Sequence, residues 1–151
     1  MNEQVLVVIK PDGMQKRIVG TVINHFMASD LTLIGLKIVQ VSRLLAEKHY
    51  GHLRKQFFFK EIVTYLMGGY HSKNPVVAML FCGPDAIKKC RAIAGDTNPE
   101  AAHPRSVRGS LGRITTKGVF ENLVHVSSDK KEAEREIKLW FNKNELLKCS
   151  P

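Results

Sequence analysis

The sequence predicts an α+β fold in which helices cover an antiparallel sheet, and three observations lead there. Short β-branched or apolar runs at 5–9, 31–41, 75–81 and around 125 have the composition of strands. The segments between them carry helical periodicity. Those separators are one or two helices long, which gives the order β-α-β-(α,α)-β-α-β. That order fits the ferredoxin-like βαββαβ arrangement, with a doubly wound parallel sheet as the alternative. At 151 residues and 44% hydrophobic content the chain can bury a core of its own, and a single domain over 1–151 is expected.

The first run, Val5 to Ile9, ends at Lys10-Pro11, where proline stops further pairing, so Lys10 is predicted at a strand end. Beyond Gly13, the residues Ile18, Val22, Ile23, Phe26 and Met27 recur at helical spacing, and Leu31 to Val41 returns to strand composition. Ser42 is a suitable N-cap for a short helix through Tyr50, and a second helix is predicted from about Phe58 to Met67, ended by Gly68-Gly69. A polar loop, Tyr70 to Asn74, precedes a buried strand from Pro75 to Phe81 and a helix from Pro84 to Ala94 closed by Gly95. From Gly95 to Glu121 the chain reads as one long irregular segment, a length that marks a binding loop. Strand alternation then sets Leu123 and His125 on one face and Val124 and Val126 on the other. Asp129-Lys-Lys-Glu132 resembles a capping box, opening a helix with Ala133, Ile137, Trp140 and Phe141 on one face. The tail to Pro151 is expected to be peripheral.

Twenty-three Lys+Arg against 14 Asp+Glu give a formal charge of +9, which favours anionic partners such as nucleotides, nucleic acid or acidic surfaces. No apolar run approaches the roughly 20 residues that span a bilayer, and the first residues lack a signal-peptide pattern. A soluble, cytoplasmic protein with no membrane partner is expected. Cys82, Cys90 and Cys149 are odd in number and widely spaced, which predicts free thiols rather than a disulfide framework or a zinc site.

His125 is the candidate nucleophile. A lone histidine is more often structural, but here Asn122 lies just before it, Ser127 just after it and Glu136 on the following helix. A carboxylate near one ring nitrogen would fix the tautomer and leave the other free to attack phosphorus. There is no GxxxxGK[ST] loop and no HRD or DFG motif, so the P-loop and protein-kinase mechanisms are excluded.

Read in order, the motifs IKPDG, HYGHLR, FF, PVVAMLF, GDTNP, VRG, NLVHVSS and EIKLWF resemble the nucleoside diphosphate kinase family over nearly the whole chain. The resemblance implies a ferredoxin-like fold and a ping-pong cycle. In that cycle His125 takes the γ-phosphoryl group of a nucleoside triphosphate and passes it to a nucleoside diphosphate. Mg²⁺ is implied as cofactor, bound mainly through the nucleotide phosphates with no protein ligand to the metal. Lys10, supported by Tyr50, would reach the transferred phosphate and the ribose 3′-hydroxyl. Arg91, Thr97 and Arg108 would hold the β- and γ-phosphates, a task for which guanidinium forks are suited. Asn122 would bind the ribose, and Phe58 and Val119 would enclose the base by stacking, which tolerates every base. Ser127 and Glu136 would complete the catalytic group around His125. A homo-oligomer is implied, a hexamer first and a tetramer second.

Several features depart from the family pattern. Val126 and Ser127-Ser128 stand where a small residue and serine-aspartate are usual, and Ser110 replaces the aspartate of RGD. The stretches 67–75 and 108–122 are longer than is common. The alternative from another class is a basic module on the same fold that binds nucleic acid, with catalysis lost, supported by the basic and aromatic interleaving of HYGHLRKQFFFK. Retention of every site residue argues against it, and nucleic acid stands as a secondary partner only.

Overall fold

Strand β1 (Asn2–Ile9) is buried from Val5 onward, as its unbroken apolar run requires. In the computed structural model, which describes residues 2–149, it is followed by α1 (Pro11–Gln15), α2 (Val19–Met27), β2 (Thr32–Val39), α3 (Arg43–His49), α4 (Phe59–Leu66), β3 (Val76–Pro84) and α5 (Ala86–Ala94). Then come α6 (Val107–Leu111), β4 (Arg113–Ile114), β5 (Phe120–Glu121), β6 (Val124–Val126) and α7 (Lys130–Trp140). The main sheet has the order β2-β3-β1-β6 with each neighbouring pair antiparallel, so the fold is the ferredoxin-like one and the parallel alternative is ruled out.

Period-two alternation divides the core. Val5, Val7 and Ile9 of β1 join Met79 and Phe81 of β3 on the face covered by α2 and α5, whereas Leu6 and Val8 join Ile34, Leu80 and Trp140 on the other. Ser42 caps α3 by accepting the Leu45 N–H, as its sequence position predicts. None of the described helices is long and apolar enough to cross a membrane.

The structure corrects several expectations. The helical run after Gly13 is broken by Arg17 in the left-handed region (φ 57°), and Met27 at its end is 47% exposed. Pro84 ends β3 rather than opening α5. The segment 95–121 is not irregular throughout, since it contains α6 and a two-stranded hairpin of β4 with β5. Asp129 caps α7 through the Glu132 N–H, but the Glu132 side chain turns to Arg135 instead of closing the box. Leu123 does not share a face with His125. It adopts φ 68°, which breaks the alternation and drops its side chain into the same core cluster as Val124 and Val126. Such a conformation costs a non-glycine residue about 1–2 kcal/mol. Here the Leu123 carbonyl accepts the Lys10 N–H at 2.7 Å, and its own N–H donates to Asp12 Oδ2 at 3.0 Å.

Cys82 and Cys149 are not free thiols. They form a disulfide with Cα atoms 6.0 Å apart, and only Cys90 remains as a buried thiol among the described cysteines. Nor is the tail peripheral as far as it is described: Leu147 N–H bonds the Ile34 carbonyl at 2.8 Å and Lys37 pairs with Glu145. Ser150 and Pro151 lie outside the described residues.

Candidate active site

The carboxyl end of β1, the start of β6, the outer turns of α4 and α5, and the hairpin of β4 with β5 surround one cavity of about 660 Å³. Its wall includes Lys10, Tyr50, Phe58, Arg91, Thr97, Arg108, Val119, Asn122 and His125, nine of the eleven residues singled out from the sequence. The remaining two, Ser127 and Glu136, stand behind His125.

His125 sits at the centre of β6, opposite Val8 of β1, with its side chain 18% exposed. Its Nε2 lies 2.9 Å from Glu136 Oε1, while Ser127 Oγ donates to Glu136 Oε2 at 2.6 Å. The Ser127 hydroxyl oxygen in turn accepts the Leu6 N–H at 3.2 Å. A carboxylate only accepts, so it places the imidazole proton on Nε2 and leaves the Nδ1 lone pair as the nucleophilic atom. Glu136 comes from α7 and is fully buried, so solvent does not compete for its carboxylate.

Behind this pair lies His49, its ring edge-on to His125 with centroids 4.3 Å apart. Trp140 Nε1–H donates to His49 Nδ1 at 3.1 Å, which puts the His49 proton on Nε2, an atom without a partner. Burial, then the neighbouring His125 and Arg135, push the His49 pKa well below the usual histidine range, and the ring is neutral. His49, His125 and Glu136 approach within 4.8 Å of one another, close enough to share a cation. Their facing atoms are instead occupied by hydrogen bonds from Trp140 and within the His125–Glu136 pair.

The opposite wall is cationic. Lys10 is 8% exposed, donates its ammonium to Asn122 Oδ1, and stands 4.7 Å above the centre of the Tyr65 ring. Asn122 Nδ2 donates onward to the Thr97 carbonyl at 2.8 Å. Burial lowers the Lys10 pKa from 10.5 to about 8, Asp12 opposes the shift and Arg108 adds to it. Between those two values the unfolded chain binds the proton that the folded chain has lost, so Lys10 makes stability rise with pH across that window. Lys10→Met should flatten that rise in thermal midpoints measured below, within and above the window. Parallel curves for parent and variant would contradict it.

Arg108, on α6, has its fork held open by two carbonyls, Gly95 at 2.7 Å and Val124 at 2.8 Å, and its Nε has no partner. Burial and the nearby Arg91 lower its pKa to about 10. Ser110, where an aspartate was noted to be usual, bonds back to the Ser106 carbonyl at 2.7 Å and stays within its own helix.

The far end of the cavity is aromatic. Phe58 at the start of α4 and Val119 in the turn between β4 and β5 both line it, and Phe57 stands edge-on to Phe58 at 5.2 Å while 97% exposed. Glu61 and Tyr65 also line the cavity, and sequence reading passed them over. The available signal was their spacing, three and seven residues after Phe58 and therefore on one helical face. A cavity cationic at one end and aromatic at the other suits a ligand with a phosphate chain and a flat ring.

The nucleoside diphosphate kinase family model matches residues 3–146. A nucleoside diphosphate kinase of Picosynechococcus sp. is 42% identical over 149 residues, covering 99% of this chain and 94% of the relative. That of Thermosynechococcus vestitus is 41% identical over 149 residues, covering 99% and 93%. Among solved structures, a halophilic nucleoside diphosphate kinase from Halobacterium salinarum in complex with CDP superposes with a TM-score of 0.89 at 30% identity, covering 100% of this chain and 95% of that one. A transition state mimic of the Borrelia burgdorferi enzyme with bound vanadate and ADP gives 0.88 at 26% identity, with coverage of 99% and 93%.

Proposed function

The chain belongs to the nucleoside diphosphate kinase family and is a phosphotransferase, and from that premise we propose that the cavity described above is its site of phosphoryl transfer. His125 Nδ1 attacks the γ-phosphorus of a nucleoside triphosphate, forming a P–N bond as the bond to the leaving diphosphate breaks. The Nε2 proton stays on the ring, and Glu136 offsets the positive charge that the imidazole gains. A second diphosphate then attacks the same phosphorus through its terminal oxygen and regenerates the free histidine. The observation that carries this reading is the Glu136 contact, which occupies Nε2 of a ring that lines one cavity with Lys10, Arg91 and Arg108.

Lys10 and Asn122 are proposed to share the ribose 3′-hydroxyl, with Tyr50 beside them, while Arg91, Thr97 and Arg108 hold the phosphates and Phe58 and Val119 enclose the base. Ser127 acts through Glu136. Mg²⁺ would arrive on the phosphates, where it offsets charge in the transferring group. Lys10, Arg91 and Arg108 line the cavity together with Thr97 and Asn122, and the acid in its wall, Glu61, lies on α4 three residues after Phe58.

We further propose that residues 1–151 act as one cytoplasmic domain that assembles into a homo-oligomer, a hexamer before a tetramer. β2 is an edge strand that the tail straps at Ile34 and Lys37, and its exposed Leu36 and Ile38 support assembly. The basic and aromatic segment from His49 to Lys60 serves the cavity, since His49 packs on His125 and Phe58 lines the wall.

The test is transfer from ATP to each common nucleoside diphosphate in the presence of Mg²⁺. All bases should be accepted, with modest preferences set by stacking. Absence of transfer to any diphosphate would refute the reading, and strict use of one base would show that the loop around Val119 reads base edges.

A further inference from the structure

The stretches 67–75 and 108–122 meet at a buried carboxylate beside the cavity. His71, from the turn after α4, is 4% exposed, and its Nε2 lies 3.0 Å from Glu121 Oε1. Glu121, the last residue of β5, is 7% exposed, and its other oxygen takes Arg113 Nε at 2.5 Å and Lys16 Nζ at 3.1 Å. One carboxylate thus gathers the turn after α4, the hairpin and the end of α1. Burial alone would raise the Glu121 pKa, but these three donors outweigh it and bring it down to about 2, so the group is ionised throughout the working range.

Neither residue lines the cavity, yet the pair holds the Lys10–Asn122 contact from two sides. Glu121 directly precedes Asn122, which receives the Lys10 ammonium. On the other side the His71 ring meets Tyr65 at 4.8 Å between centroids, and Tyr65 lies beneath Lys10. His71 Nδ1 is buried without a partner. An orphaned acceptor carries a desolvation cost that a leucine or phenylalanine filling the same space would not, which argues that the histidine serves its hydrogen bond rather than packing.

We infer that the His71–Glu121 pair is a positioning device for the ribose 3′-hydroxyl, holding Lys10 and Asn122 at the spacing in which they share that group. The inference rests on the ribose role proposed above. It assigns the stretches 67–75 and 108–122 a task in the reaction, and neither residue lines the cavity.

The test compares kcat/KM for a ribonucleoside diphosphate and its 3′-deoxy counterpart in the parent, His71→Leu, His71→Gln and Glu121→Gln. The quantity read is the ratio of the two substrates, in which any loss of folded protein cancels. In His71→Leu and Glu121→Gln the ratio should fall about tenfold, short of the roughly hundredfold that a 1 Å misplacement costs, and the 3′-deoxy rate should stay near that of the parent. His71→Gln, which keeps a donor for Glu121, should restore part of the ratio. A parallel fall for both substrates, or an unchanged ratio, overturns the positioning role. A parent that transfers phosphate without favouring the 3′-hydroxyl overturns it too, whereas a parent with no transfer at all refutes the broader reading of the cavity.

Discussion

His125→Ala is expected to abolish the covalent phosphoenzyme and lower turnover by about 10⁶-fold, the scale on which removal of a nucleophile acts in other covalent enzymes. The parent, incubated with labelled ATP and Mg²⁺, should give an acid-labile, alkali-stable adduct that maps to His125. The loss in the variant is chemical rather than structural. The ring is partly exposed, and the pairing of its backbone with Val8 does not depend on the side chain. Glu136→Gln separates orientation from nucleophilicity. The Glu136 carboxylate accepts from both His125 Nε2–H and Ser127 Oγ–H, whereas an amide would turn its NH₂ toward one of two donors. That variant should turn over slowly yet still become labelled. Equal labelling of the parent and His125→Ala, or an adduct elsewhere, would remove His125 from the mechanism.

Arg108→Ala should cost about 10²–10³ in kcat, the usual effect of losing one preorganised donor at a developing charge. Arg108 is favoured over Arg91 for this role because its fork is already fixed by the Gly95 and Val124 carbonyls rather than by a carboxylate that a phosphate would have to displace. Arg108→Lys should recover little, since one ammonium cannot satisfy both carbonyls and also reach an anion. Circular dichroism and the thermal midpoint would show whether either variant is folded, as the carbonyls lose their donors as well. A folded Arg108→Ala with a near-normal rate would exclude Arg108 from the site.

What could be read from the chain was local. The apolar run of β1, the proline after Lys10 and the serine before α3 act through their own backbone, and each element stands where its residues place it. The Cys82–Cys149 bond, the strap of the tail on β2, the hairpin inside 95–121 and the left-handed Leu123 depend on partners far along the chain, which periodicity does not encode. The site divides the same way. Nine of the residues named from the sequence line one cavity, and Ser127 and Glu136 stand behind His125. Tyr65, His71, Glu121 and His49 were not, because their meaning arises only once α4, the hairpin and α7 pack together.

The unusual turn at Leu123 also bears on the order in which the molecule can assemble. Its peptide groups bind Lys10 and Asp12, so the corner after the first strand is completed by a residue 111 positions later in the chain. The pairings of β1 with β3 and of β3 with β2 can form before that residue is in place. A folding intermediate of that kind would have much of its sheet but no anchored lysine and no nucleophile. Closing such a distant contact is entropically slow. Recovery of competence on refolding therefore reports the docking of the last strand rather than the nucleation of the sheet.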